Sequence, residues 1–389
     1  MVALRSAVAV VAVGFALSCS SAPRASEPSR TREPRVEALR LDGGSVIRGI
    51  TIGPIESALH PDVGYGSSAY ARQLEACARM GATWISLTPF GRVGDLSGLG
   101  VDPTFETPYD INFPRTLTAI RMAHARGLKV MLVPQLWVES GQWRGELDPV
   151  TDEAWAAWAR SYQRFIVGWA KVAEAGGAEM FSAGVELRSW VTSGRAPSFA
   201  GVLAAVRQSY TGLLTYSANW DDVVDTVIWG DVDAIGLNAF YPLADHEGAP
   251  YEELLAGGQA VRAKVLALSR AWNKPVLFTE IGYTTRKDPA VRPWVWPEAM
   301  GGAVVVDEQA QANAYRALLA PLLDVPTFAG FFVWRVYSDL DDVSQEPEWG
   351  FSPEGKLAEL VVRDAFAARW AAEERRPGTA AEVPGILSP

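Results

Sequence analysis

Two stretches, Phe181-Ser182-Ala183-Gly184-Val185-Glu186-Leu187 and Val276-Leu277-Phe278-Thr279-Glu280-Ile281-Gly282-Tyr283, decide how this sequence folds. Each is a short, largely apolar run that lacks the strict polar alternation of a half-exposed strand, and each is interrupted near its end by a glutamate. Strands covered on both faces read this way, because parallel sheets are wrapped by the helices that connect them. Working outward, similar runs occur at residues 46–52, 82–89, 129–136, 213–219, 233–240 and 329–336, which with 180–186 and 275–282 make eight candidate strands. Amphipathic helical stretches lie between them, among them 68–80, 114–126, 152–175, 251–272 and 308–323. Alternating strands and helices predict parallel strands joined by crossovers, and eight such units close into one (β/α)8 barrel, a single domain over residues 45–370. A doubly wound open sheet is the competitor. It is disfavoured because no GxGxxG turn follows the first strand and the strand count closes at eight.

Composition limits the function classes. A net charge of −10 and a pI near 5.0 leave no basic footprint for nucleic acid, so neutral ligands suit the surface better. The 15 Trp residues are many for 389 residues; indoles serve either as core packing or as platforms for sugar rings. Only two cysteines are present: Cys77, in an apolar helical run, reads as a buried thiol, and no disulfide framework exists. His60, His124 and His246 lack the paired spacing of a zinc site, so neither a metal nor a cofactor is expected. Asp339, Asp341 and Asp342 read as a solvated loop rather than a cation site.

The ends of the chain are addresses and tethers. Residues 1–19 carry Arg5 and then an apolar run over 7–17 that is too short for a transmembrane helix, which predicts a signal peptide. Phe15-Ala16-Leu17-Ser18-Cys19 resembles a bacterial lipobox, making Cys19 a candidate lipid anchor; ordinary secretory cleavage is the alternative, and either route exports the protein. Residues 20–44 form a flexible tether rich in Ser, Pro, Arg and Glu, and 371–389 a solvated tail. Membrane contact is expected only through Cys19, and the folded domain is expected to be a monomer.

In barrels of this kind, chemistry collects where strands end at the C-terminal mouth. Glu186 on the fourth predicted strand and Glu280 on the seventh would point into one mouth. Glycosidic cleavage needs such a pair: one carboxyl to protonate the leaving oxygen, the other to attack the anomeric carbon or to activate water against it.

In these motifs the sequence resembles clan A retaining glycosidases, and within them glycoside hydrolase family 113, which contains β-mannanases. The resemblance spans roughly residues 45–360. It is carried by the two glutamate strands, by Lys129-Val130-Met131-Leu132-Val133-Pro134 with Gly141-Gln142-Trp143-Arg144-Gly145-Glu146-Leu147, by Asp233-Ala234-Ile235-Gly236-Leu237-Asn238-Ala239-Phe240-Tyr241-Pro242-Leu243, and by Phe331-Phe332-Val333-Trp334. The resemblance implies Glu186 as acid/base and Glu280 as nucleophile, with an oligo- or polysaccharide as substrate. Glu186 then needs a raised pKa and Glu280 hydrogen bonds that favour its ionised form. Tyr241 is the candidate donor to Glu280 and Trp334 the candidate indole floor. Asn219, Asn238, Gln135, Trp143 and Arg48 are candidate substrate contacts around the same mouth. The chain departs from the pattern at Val185, where many clan A enzymes have Asn, and at Val133 and Gln135, where the mannanase third strand has Lys and His. The glycan therefore stays open among β-linked chains, as does transglycosylation. The rival reading is a non-catalytic, surface-anchored glycan-binding protein on the same barrel.

Overall fold

A computed structural model describes residues 45–370 apart from 54–61, 99, 106, 297–302 and 339–346. Cys19, the predicted leader, tether and tail, His60, and Asp339, Asp341 and Asp342 lie outside the described residues. The strands are β1 (Ile47–Gly53), β2 (Trp84–Leu87), β3 (Phe90–Val93), β4 (Lys129–Leu132), β5 (Gln135–Val138), β6 (Met180–Val185), β7 (Leu213–Asn219), β8 (Ile235–Asn238), β9 (Val276–Ile281) and β10 (Phe328–Tyr337). Eight of them close a parallel barrel in the order β1-β10-β9-β8-β7-β6-β4-β2, with β1 pairing back onto β2. The remaining two, β3 and β5, pair in parallel as a separate ribbon.

That ribbon corrects the sequence reading of 82–89 and 129–136. Each predicted strand stops at a proline: Pro89 follows β2 and Pro134 follows β4. Proline has no N–H to give the ladder and breaks it there. The chain recovers at once, with Val133 N–H donating to Leu87 O (2.8 Å) and Gln135 N–H to Pro89 O (2.9 Å). So β3 and β5 prolong β2 and β4 past the ends of the barrel strands, on the mouth side.

The helices are α1 (Ser68–Met80), α2 (Tyr109–His124), α3 (Asp152–Gly176), α4 (Arg188–Val191), α5 (Ala196–Arg207), α6 (Tyr251–Trp272), α7 (Glu308–Leu319) and α8 (Leu357–Ala367). Local chemistry fixes their starts: Ser67, Thr151 and Asp307 cap α1, α3 and α7 by accepting from Tyr70, Ala154 and Ala310 N–H. Helix α2 begins five residues before the expected 114, because Pro114 is carried inside it. Between β7 and β8 the expected helix is only a 3-10 turn, Trp229–Asp231.

Two cores hold the layers together. Inside the barrel, Ile47, Trp84, Met131, Met180, Leu277 and Phe332 fill the lumen, Trp84 meeting Phe332 edge-on at 6.3 Å. Between strands and helices a larger core takes most of the tryptophans: Trp158, Trp169, Trp190, Trp229 and Trp370 are fully buried. On α3, Trp155, Trp158, Tyr162, Phe165, Ile166 and Trp169 recur at helical spacing and all face inward, so these indoles pack and do not bind sugar. Trp370 closes the domain by packing on Phe328 and Phe331 at 5.6 and 6.0 Å.

Candidate active site

Glu186 directly follows β6 and Glu280 lies one residue from the end of β9, so both open onto the C-terminal mouth. Both are nearly buried, at 8% and 4% exposure, so they cannot rely on bulk water for solvation. Glu186 has a positive φ of 53°, a left-handed conformation that costs a residue other than glycine, and its N–H is held by Ser217 O at 2.8 Å. Backbone of this kind concentrates at sites where one side chain must be aimed.

Three donors converge on Glu186. Asn238 Nδ2 reaches Oε1 at 3.0 Å, while Trp143 Nε1 and Arg144 Nη2 reach Oε2 at 3.0 and 3.1 Å. Asn238 is itself oriented by Thr279, whose hydroxyl donates to Asn238 Oδ1 at 3.0 Å. Arg144 is anchored to Leu136 O at 3.0 Å, and its pair with Glu186 is largely out of solvent. Trp143 presses on the backbone of Gly145, where an added Cβ would lie 2.3 Å from the indole. The Arg188 guanidinium stacks over the same indole at 4.4 Å and is in turn held by Asp221 and by Asp222 (3.3 Å).

Glu280 accepts from Gln135 Nε2 at 2.8 Å, across the mouth from the start of β5. Burial, and after it the nearby Glu186 carboxyl, push its carboxyl up to about 8. Arg144, Arg335 and the Gln135 bond pull the other way. The Gln135 amide supplies one hydrogen bond of the kind the ionised form needs, and burial outweighs it in the ligand-free protein.

The other expected residues divide. Gln135, Trp143 and Asn238 touch the glutamates directly. Trp334, on β10 beside β9, is 8% exposed and packs with Phe240 and Phe351 next to Trp220, while Arg335 stacks on it at 4.6 Å. Asn219 ends β7 in register with Asn238 and donates to Asp221 at 2.9 Å. Tyr241 does not serve Glu280. Its hydroxyl is buried with no hydrogen-bond partner among the described residues, and its ring packs on Phe278 in the layer between strands and helices, under Lys264 of α6. Arg48 is also displaced from the mouth: it sits at the start of β1 and donates to the carbonyls of Phe366 and Ala368 (3.2 Å), tying the C-terminal segment to the far end of the barrel. His246 meets Asp245 and Glu253 at the surface, but its ring nitrogens are engaged by Glu247 O at 3.0 Å and Glu253 at 3.1 Å.

Sequence reasoning missed Arg144, Thr279 and Trp220 as site residues. Arg144 lies beside Trp143 in the Gly141–Leu147 segment, so sequence adjacency is the signal that marks it. Thr279 and Trp220 carry no signal until the barrel closes.

A parallel (β/α)8 barrel with two buried glutamates at the ends of its fourth and seventh barrel strands defines a glycoside hydrolase of the clan A architecture, acting on O-glycosyl bonds. The model of Glycoside Hydrolase Family 113 matches residues 60–356, and the chain belongs to that family. Among solved structures, the GH113 β-mannanase AaManA from Alicyclobacillus acidocaldarius, in complex with ManMIm, is 26% identical with a TM-score of 0.70, covering 83% of this chain and 97% of its own. A GH113 β-1,4-mannanase complex is 22% identical with a TM-score of 0.71, over 84% and 100%. A family 5 mannosidase from Rhizomucor miehei, in complex with mannosyl-fructose, shares the fold at 12% identity and a TM-score of 0.58, over 86% and 97%. No curated protein matches the sequence.

Proposed function

We propose that the protein hydrolyses a β-linked glycan, a β-1,4-mannan or a close relative, by retaining double displacement, with Glu186 as acid/base and Glu280 as nucleophile. The observation that carries this reading is the convergence of both buried glutamates on one polar cluster, in which Asn238 bonds Glu186 and stands in register with Glu280. In the first step a Glu280 oxygen attacks the anomeric carbon as the glycosidic C–O bond breaks, and the proton of Glu186 passes to the leaving oxygen. The product is a glycosyl ester on Glu280. In the second step Glu186, now a carboxylate, takes a proton from water, whose oxygen displaces Glu280 from the anomeric carbon. Burial raises Glu280 in the free protein, so the attack requires that Glu280 be ionised and Glu186 protonated once the sugar is bound. The mannan preference is supported by the 26% identical β-mannanase.

Hydrolysis of a panel of mannans, glucans and their oligosaccharides by wild type, Glu186→Gln and Glu280→Gln tests the reading. Activity on a β-glycan that both substitutions abolish is the expected result; a wild type that binds glycan without turnover assigns the barrel to the glycan-binding alternative. Export, with Cys19 as lipid anchor and the domain a monomer, belongs to the same proposal. Replacing Cys19 with Ser should release the protein from the membrane fraction, and an unchanged distribution would remove the anchor.

A further inference from the structure

Gln135 and Trp137 lie two residues apart on β5. Side chains on a strand alternate, so both project from one face of the β3–β5 ribbon, Trp137 about 7 Å further out than Gln135. Gln135 fixes that face as the one turned to the mouth, because its amide bonds Glu280. Trp137 is 51% exposed, the only exposed position in a strand whose other residues are buried. The indole is also braced from below. Phe105 meets it edge-on at 6.3 Å and lies against Phe90 at 5.3 Å, and Phe90 is the register partner of Gln135. Beside it stand the hydrogen-bonding groups of Arg92, its own register partner, and Glu139, paired with each other at 3.2 Å. A large apolar ring held open to water, buttressed, and ringed by polar groups has the composition of a carbohydrate platform: the indole takes the C–H face of a pyranose and the rim takes its hydroxyls.

We infer that Trp137 is the floor of an additional sugar subsite, which stacks on a pyranose ring of a β-linked chain beyond the ring being cleaved. The inference rests on the proposed glycosidase reading and extends it to substrate length. The ribbon arises from the barrel strands opposite β9, so a chain lying on Trp137 crosses the mouth from the Gln135 side over Glu280. Trp294, stacked on Trp220 at 5.2 Å and 44% exposed, stands at the β7 and β9 loops on the other side.

The test measures kcat/KM for wild type, Trp137→Ala and Trp137→Phe on manno-oligosaccharides from mannobiose to mannohexaose, together with binding of the same sugars by calorimetry. Loss of an aromatic face predicts a drop on the order of tenfold for the longer sugars. Mannobiose should be unaffected and the Phe variant should retain most of the activity. An equal loss at every length would mean that the indole acts through Gln135 on Glu280 and would overturn the subsite, as would no loss at any length. If wild type hydrolyses none of these sugars the mannan preference fails separately, and the platform is then judged by whether Trp137→Ala weakens binding of the long sugars. Wild type that self-associates through an interface broken by Trp137→Ala would give the indole to a second copy and also overturn the proposal.

Discussion

At the scale of single residues, Trp143 shows how the site is aimed. Its indole N–H holds Glu186, while Gly145 beneath it and Arg188 over it fix the ring. A methyl group at 145 would overlap three indole atoms at 2.3–2.5 Å, so Gly145→Ala must tilt the ring and loosen Glu186. Misplacement of a catalytic group by about 1 Å costs roughly 10²-fold, and kcat for Gly145→Ala should fall by that order with the fold intact by circular dichroism. An unchanged kcat would show that Trp143 does not position Glu186. Glu186 and Glu280 were legible in the sequence because a charged residue ending an apolar strand is conspicuous; Gln135 and Asn238 stand at strand ends, and Trp143 followed from the loop motif that carries the family resemblance. Tyr241 and Arg48 were misplaced because sequence gives a residue's strand but not its face. Tyr241 turns outward into the layer against Phe278, and Arg48 starts its strand at the end opposite the mouth.

At the scale of elements, Gly282 shows why β9 ends where it does. A Cβ there would approach Phe351 at 2.8 Å, Trp334 O at 3.0 Å and Phe240 at 3.2 Å, so the aromatic wall of the mouth closes directly on the backbone. Gly282→Ala should lower unfolding free energy by about 1–3 kcal/mol, the usual cost of overpacking, read as a reduced denaturant midpoint with the slope unchanged. A midpoint equal to wild type would mean that the wall yields freely. The barrel strands were legible from their apolar runs, since parallel strands wrapped by helices admit little else. The β3–β5 ribbon was not, because the continuous run through Val133-Pro134-Gln135 conceals a change of sheet that only the missing proline N–H imposes. The absent helix between β7 and β8 was equally hidden, since local pattern does not reveal which crossover shrinks to a single 3-10 turn.

For the whole molecule, several buried carboxyls act in one direction on stability. Glu280 is raised from 4.5 to about 8 and Asp222 from 3.8 to about 7, both chiefly by burial, and Glu354 is raised as well. A carboxyl raised in the folded state binds more protons there than in the unfolded chain, so its contribution is full below its unfolded pKa and disappears as pH rises through the folded value. Stability should therefore decline between about pH 4.5 and 8, with growing self-repulsion at a net charge of −10 adding to the slope. Glu280→Gln should flatten the decline and make the protein more stable than wild type at pH 8, by thermal melts across that range. Parallel curves for the two proteins would show that Glu280 is ionised throughout. The buried charge that costs the fold stability is the same one the proposed chemistry requires.

The most direct test of the central claim is covalent trapping: incubation with a 2-deoxy-2-fluoro-β-mannoside carrying a good leaving group, followed by intact mass and peptide mapping. The account predicts one fluoro-sugar per protein, on the peptide bearing Glu280, and none on Glu280→Gln. A label on any other residue, or turnover without a label and with an inverted first product, would contradict it.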